Sequence, residues 1–379
     1  MRRLLPGLIV LIVVPSASAG LISAPEVAVG GRLKVRAGHV ALPASLEVRG
    51  RRGGWQPSGP RIKRPRQHVV LRAPAQPGYL RIRARGSDDS VTPVKRVRVR
   101  YLHLDAVGDI NLGDGPGTAI AFHGPKYPWR SVGRVLRRAD IAFGNLECAV
   151  SRRGHQLVKE FTFRGRPSSL RAAARTGGLD VVNLANNHAG DYGDTALVDT
   201  LRFAHRYGIA TTGAGRDERE AYRPTIVEKL GLRVAFVGFS TILPFEFRAG
   251  PHDPGTAWGF DDRVRDSVRR AARHADVVIA TFHWGIERDF HSDAQQRALA
   301  HVALQAGATA VIAGHPHVQQ EIVRRRNRVI AYSLGNFVFS ANTPGAESTG
   351  ILQLHLARQR VASSPFRRAT IYASRPILQ

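Results

Sequence analysis

From about Leu21 to Arg100, apolar and polar residues alternate with a period of two, and nothing in that stretch has helical spacing. The segments EVAVGGRLKVRAG, HVVLRAP, YLRIRARG and VKRVRVR each put their apolar residues on one face, with clusters of Gly, Pro and Ser between them. Successive side chains of a strand point to opposite faces, so the pattern predicts short, half-buried strands. Residues 21–100 are therefore expected to form a small all-β, sandwich-like domain of immunoglobulin size, without the Cys and Trp hallmarks of that fold. This region carries no candidate catalytic constellation and reads as a spacer or a polymer-binding module.

Near Leu102 the period changes. Apolar runs (LHLDAVGD, ADIAFGNLE, GLDVVNLANNH, RVAFVGFS, ADVVIATFHWG, ATAVIAGHPH and RVIAYSLGNF) begin to alternate with amphipathic stretches such as PSSLRAAARTG, ALVDTLRFAHRYG, DRVRDSVRRAARHA and DAQQRALAHVALQAG. Several of the amphipathic stretches end in glycine, as helix C-termini do. Strand followed by helix, repeated this often, predicts an α/β layered domain over residues 101–379, its sheet covered on both sides. In such folds the reactive side chains stand just past the C-terminal ends of the strands.

Composition changes this picture in two ways. The 379 residues are 43% hydrophobic and 22% charged, which is ordinary, but the formal net charge is +27, and arginine supplies most of it. A surface of that sign attracts polyanions. The N-terminus then narrows the choice of partner. Arg2 and Arg3, the apolar run Leu4 to Val14 and the small residues ending at Ala19 have the pattern of a secretory signal peptide over residues 1–19. The mature protein is expected to be exported to the envelope or beyond, or to stay membrane-anchored if the peptide is not cleaved. The single cysteine, Cys148, excludes an internal disulfide. For an exported chain, nucleic acid is not the expected partner; an anionic envelope polymer is.

The strand ends hold the candidate chemistry. Asp109 follows the first apolar run, Asn145 and Glu147 the second, and Asn186, Asn187 and His188 the third. His283 ends a fourth, and His315 and His317 flank Pro316 after a fifth. Any one of these could be a turn residue or a helix cap, but five equivalent positions together indicate a site. Carboxylate, amide and imidazole ligands without thiolate suit Mn, Fe or Zn better than calcium or magnesium. The set exceeds what one tetrahedral ion needs and matches two divalent ions. Gly314, just before His315, is read as allowing a tight turn.

The motifs VGDINLGD, NLECAVS, NLANNHAGDYG, HWGIE, AGHPHVQ and YSLGNFVF resemble, in order, those of the CapA family of poly-γ-glutamate capsule synthesis proteins, distant relatives of the calcineurin-like metallophosphoesterases. The resemblance spans about residues 102 to 345. It implies a metallophosphoesterase-like α/β domain with Asp109, Glu147, Asn187, His283, His315 and His317 as metal ligands. His188 and Asp109 would be the catalytic residues, His188 beside the substrate. Asn111, Asn145, Asn186 and Asn336 would hold the ligands from behind. Asn111 stands where the phosphoesterase pattern has a histidine, which leaves one metal position short of a ligand. The implied function is synthesis, export or surface retention of an anionic polymer such as poly-γ-glutamate, beside a membrane ligase or export complex. Two alternatives stay open: a metal-dependent phosphoesterase or γ-amide hydrolase without an assembly role, and a non-catalytic polymer-binding envelope protein. Trp284 reads either as a wall of the site or as a packed aromatic, and Asp191 as a support for the Asn-His loop.

Overall fold

A computed structural model describes residues 20–38, 40–50 and 53–379, so the signal-peptide pattern at 1–19 lies outside the described residues. The chain divides into two compact units. One comprises residues up to Val27 together with Arg32–Arg100, the other Ala28–Gly31 together with Tyr101–Gln379. Among the described residues, no helix is long and apolar enough to cross a membrane.

The N-terminal unit is built of two sheets. Leu21–Ser23, Arg32–Ala37 and His68–Arg72 form the smaller, in that order. The larger runs Glu26–Ala28, Lys95–Arg100, Gly78–Arg85, Ser45–Arg49, Gln56–Pro57. The alternation seen in the sequence is the alternation of burial: in Gly78–Arg85 the residues Leu80, Ile82 and Ala84 are buried while the arginines between them are half-exposed.

In the second unit the apolar runs divide between two sheets. The first orders Ala210–Thr212, Val181–Asn183, Ile141–Leu146, Leu102–Ile110, Ser348–Ala357, Phe366–Tyr372 and Arg375–Leu378, with Asn336–Val338 paired to the end of Leu102–Ile110. The second orders Thr225–Lys229, Leu232–Ser240, Val277–His283, Ala310–Gly314, Arg328–Ala331 and Ile322–Arg325. Leu104, Ala106, Phe143 and Val181 of the first sheet share one buried core with Val234, Phe236, Ile279 and Ile312 of the second. Phe143 and Phe236 stack there with ring centroids 5.4 Å apart. Truncating either to Ala removes about 3–5 kcal/mol of packing.

Helices cover the outer faces. Leu197 and Ala204 of helix Gly193–Tyr207 and Leu170 of Pro167–Ala172 pack on Val107, Leu146 and Val182. Val264 and Val268 of helix Asp261–His274 and Leu299 and Ala303 of Ala294–Ala306 pack on Val237, Val278 and Val311. The result is an α/β layered fold of helix, sheet, sheet and helix. Both long strand-to-helix series run parallel, so their C-terminal ends lie at one edge of each sheet. Helix ends follow the glycines: Gly208 and Gly307 both take positive φ as caps. The helix Asp114–His123 had no clear signature, since its DGPGTAIAFH segment opens with two glycines and a proline.

Candidate metal centre

Sheet register aligns the site. Across the first sheet Asn183, Asn145, Asp109 and Asn336 are consecutive partners. Across the second, Ser240, His283 and Gly314 are partners. A register shift between Phe143 and Asn145 marks a bulge, the kind of irregularity that re-aims side chains at a strand end. A row of four polar residues in the first sheet, and Ser240, His283 and Gly314 in the second, therefore stand where each sheet runs out of apolar sequence.

The rows converge on a buried centre. The Asn145 amide lies 2.9 Å from Asp109 Oδ1 and 3.2 Å from His283 Nδ1. His283 Nε2 lies 2.8 Å from Asn187 Oδ1, 3.2 Å from His315 Nδ1 and 3.4 Å from Glu147 Oε1. His317 reaches both acids, with Nδ1 3.7 Å from Asp109 Oδ2 and Nε2 3.9 Å from Glu147 Oε1. Ligand atoms fall into two groups, each within 4.8 Å: Asp109, Glu147 and His283, and Glu147, His315 and His317. Glu147 belongs to both.

Gly314 has a different role from the turn expected of it. A Cβ there would sit 2.1 Å from Asp109 Oδ1, so the glycine makes room for the carboxylate. The turn falls to the histidines themselves, with φ of 99° at His315 and 60° at His317. Non-glycine residues rarely adopt that region, at a cost of about 1–3 kcal/mol each, and such strain concentrates at functional sites. The His315 backbone N–H donates to Asp109 Oδ2 at 3.0 Å, tying the turn to the opposite sheet.

The electrostatics are set by burial and by the two neighbouring acids. Glu147 is fully buried, and neither of its oxygens has a hydrogen-bond partner. Burial first, and the neighbouring Asp109 second, push its carboxyl well above the usual range. Burial also pulls His283 down to about 3 and His315 well below the ordinary value, leaving both imidazoles neutral with lone pairs to share. At His317 burial acts downward, but the Glu147 and Asp109 carboxylates outweigh it and raise the group. A buried carboxylate with no donor is a costly arrangement unless a cation completes it. The donor set of two acids, one amide oxygen and three imidazoles therefore fits borderline divalent ions.

His188 stands at the rim of this centre. Its Nδ1 lies 2.7 Å from Asp191 Oδ2, its ring stacks on Phe163 at 4.1 Å, and burial depresses it to about 4. Asn186 accepts from the His188 N–H at 3.1 Å and donates to Leu146 O at 2.8 Å, holding the loop. Asn336 Oδ1 lies 2.9 Å from His317 Nδ1. Asn111 behaves differently: its Oδ1 accepts from Gly113 N at 2.8 Å, and no hydrogen bond joins it to the six ligand candidates. Trp284 is fully buried against Phe282, its indole N–H on Tyr332 O, as a packed aromatic. Cys148 is buried, its thiol pushed up to about 12.

Residues 103–341 match the family described as bacterial capsule synthesis protein PGA_cap. The chain belongs to this family. Relatives within reach are the capsule biosynthesis protein CapA of Bacillus anthracis, 30% identical over 71% of this chain and 67% of that protein, and the PGA biosynthesis protein CapA of Bacillus subtilis (strain 168), 30% identical over 70% of each. A probable polyglutamine synthesis accessory protein of Mycobacterium tuberculosis is 28% identical over 64% of this chain and 67% of that protein. Among solved structures, the NAD nucleotidase of Haemophilus influenzae is similar at 10% identity and a TM-score of 0.40, over 71% of this chain and 56% of that one.

Two residues of this PGA_cap chain escaped sequence reasoning. Asn183 donates to Asn145 Oδ1 at 3.0 Å; as the first Asn of NLANNH, it sits on the strand rather than past its end. Lys159 pairs with Asp191 at 2.7 Å and donates to Asn187 O at 2.5 Å. It lies in the irregular segment before Phe163, where no periodicity could single it out.

Proposed function

We propose that the chain is an exported protein of capsule-polymer synthesis whose second unit carries a two-ion, hydrolase-type metal site, with Glu147 common to both groups of candidate ligands. The observation that carries this reading is Glu147 itself, common to both ligand groups and without a hydrogen-bond donor on either oxygen. Asp109 and His283 on one side, and His315 and His317 on the other, would hold the ions, with Asn187 adding its amide oxygen. Divalent ions held there would supply Lewis acidity and a nucleophile at neutral pH.

The remaining chemistry belongs to the chain's own residues. Asp191 is acceptor-only toward Lys159, Phe163 N–H and His188, so the His188 proton is on Nδ1 and the Nε2 lone pair is free. A neutral imidazole so oriented accepts a proton at Nε2 and can deliver it to a leaving group. Names of the relatives support an anionic polymer, of the poly-γ-glutamate kind, as what this chain handles. Export rests on the Arg2-to-Ala19 sequence pattern.

Elemental analysis of the purified protein, wild type beside His315→Ala, tests the site without relying on turnover. Close to two ions of Mn, Fe or Zn per chain, reduced in the variant, is the expected result. One ion would point to the position that lacks a histidine, where Asn111 stands in the sequence, as the empty one. No metal in either protein after reconstitution would overturn the reading and leave a non-catalytic envelope protein.

A further inference from the structure

The matched family region begins at residue 103, so the N-terminal unit is left without a role. Residues 21–100 contain 18 Lys and Arg against 4 Asp and Glu, about half of the whole chain's excess positive charge. On its larger sheet this charge is not scattered. Arg81 is the register partner of Arg49 on one neighbouring strand and of Arg96 on the other. Directly paired residues share a face, so three guanidiniums form a row across three strands. The opposite face is occupied by Leu46, Leu80, Ile82, Val97 and Val99, all buried.

The same face shows what such guanidiniums take. Two residues along the strand, Glu47 lies opposite Arg83 and is gripped by Arg83 Nε at 2.6 Å and Arg85 Nε at 2.9 Å. On the far strand Glu26 lies between Arg98 at 3.3 Å and Arg100 at 2.8 Å. Each is a carboxylate cradled by two arginines at alternate positions. The row of Arg49, Arg81 and Arg96 has the same arginine chemistry, yet among the described residues no acid pairs with any of the three. Like charges directly opposite one another destabilise a sheet, so the row costs stability as it stands. Aromatic rings back it: Trp55 lies under Arg49 and Arg83 at 5.3 and 4.3 Å, and Tyr79 under Arg96 at 3.6 Å.

We infer that this face is a docking surface for an extended polycarboxylate chain, whose carboxylates occupy the Arg49–Arg81–Arg96 row as Glu47 and Glu26 occupy the flanking cradles. The arginine fork matches a carboxylate in two parallel hydrogen bonds. Same-face residues recur about every 7 Å along a strand and neighbouring strands are about 5 Å apart, a grid that a flexible acidic polymer can follow. The proposal is independent of the metal site.

The test is binding of soluble polyglutamate to the full-length protein at several salt concentrations. The triple variant Arg49→Gln, Arg81→Gln, Arg96→Gln is compared with Arg269→Gln, Arg270→Gln, Arg273→Gln, which removes equal charge from the exposed side of a helix in the other unit. The row variant should lose affinity by a factor on the order of ten, with a salt slope shallower by about two. The helix variant should bind nearly as the wild type does. Because like-charge contacts are removed, the row variant should melt no lower than wild type, and its metal content should be unchanged. In the unmutated protein, polyglutamate should shift a fluorescence component that Trp55→Phe abolishes. Equal weakening by both triples would reduce the effect to bulk charge and overturn the proposal. So would the absence of a Trp55 signal, or a row that responds to inorganic polyphosphate and not to polyglutamate.

Discussion

Glu47 in the N-terminal unit and Glu147 in the second are both buried carboxylates, and the chain treats them in opposite ways. Glu47 sits among half-exposed arginines, and hydrogen bonds from Arg85 and Arg83 hold its carboxyl below the ordinary range. Glu147 sits fully buried among neutral imidazoles and a second acid, with no donor, and is pushed well above that range. In the first case the chain supplies the counter-charge. In the second it supplies none, and the carboxyl either keeps its proton or meets a cation, as the proposed metal site would provide. Asp105 is intermediate: it is buried within the first sheet with a single amide donor, Gln353 Nε2 at 3.3 Å, and is raised to about 6.

The largest effect expected from this series is at Glu147. Chelation should lower the stability of the wild-type protein by about 4 kcal/mol if metal is held at a thousand times its dissociation constant. In Glu147→Gln the melting curve should barely respond to chelator. A wild type that melts identically with and without chelator would remove the distinction between the two glutamates.

Asp105 comes next. Its native group binds its proton more tightly than the unfolded one, so its contribution to stability declines as pH rises from about 4 to 6. Asp105→Asn should therefore stabilise the protein at pH 7.5 by roughly 2–3 kcal/mol and leave it unchanged near pH 4. Denaturant melts at the two pH values measure this directly, and an equal effect at both would show that desolvation of the carboxylate is not the cause.

Glu47 should show the smallest effect and the opposite sign. Its lowered carboxyl contributes stability above the ordinary glutamate range, and that contribution is lost as pH falls below it. Glu47→Gln should cost about 1 kcal/mol at pH 7 and little at acid pH. If the substitution proved stabilising at neutral pH, Glu47 would belong with Asp105, and the arginine cradle would contribute nothing to the fold.

How much of this could be read beforehand differs between elements. The strands from Leu102 to Ile110, Leu232 to Ser240 and Val277 to His283 were legible because most of their residues are apolar, although the first includes His103, Asp105 and Asp109. The helices Asp261–His274 and Ala294–Ala306 carried their stripe, while the reciprocal cap of Asp293 and Gln296 came to light only in the structure. The division of those strands between two sheets was not legible, because a run buried on both faces looks the same whether a helix or a second sheet covers it. The C-terminal strands Ser348–Ala357 and Phe366–Tyr372, which close the first sheet, left no comparable signal beside the motifs. At the site, residues standing just past strand ends stood out by position. Lys159 and Asn183 did not, since a lysine in an irregular loop and an amide inside a strand have no local pattern.

By itself, the sequence determined the alternation of the N-terminal strands, the strand-and-helix series after Leu102, and the polar residues that end it. Those are consequences of local periodicity and of where apolar runs stop. Only the tertiary structure decided that two sheets meet face to face, that Gly314 clears space for Asp109, and that Glu147 is left without a donor between two groups of candidate ligands. It likewise decided that Arg49, Arg81 and Arg96, far apart in the chain, stand side by side. Burial and pairing depend on which distant segments are brought into contact, and desolvation acts on a charge only after that contact has formed.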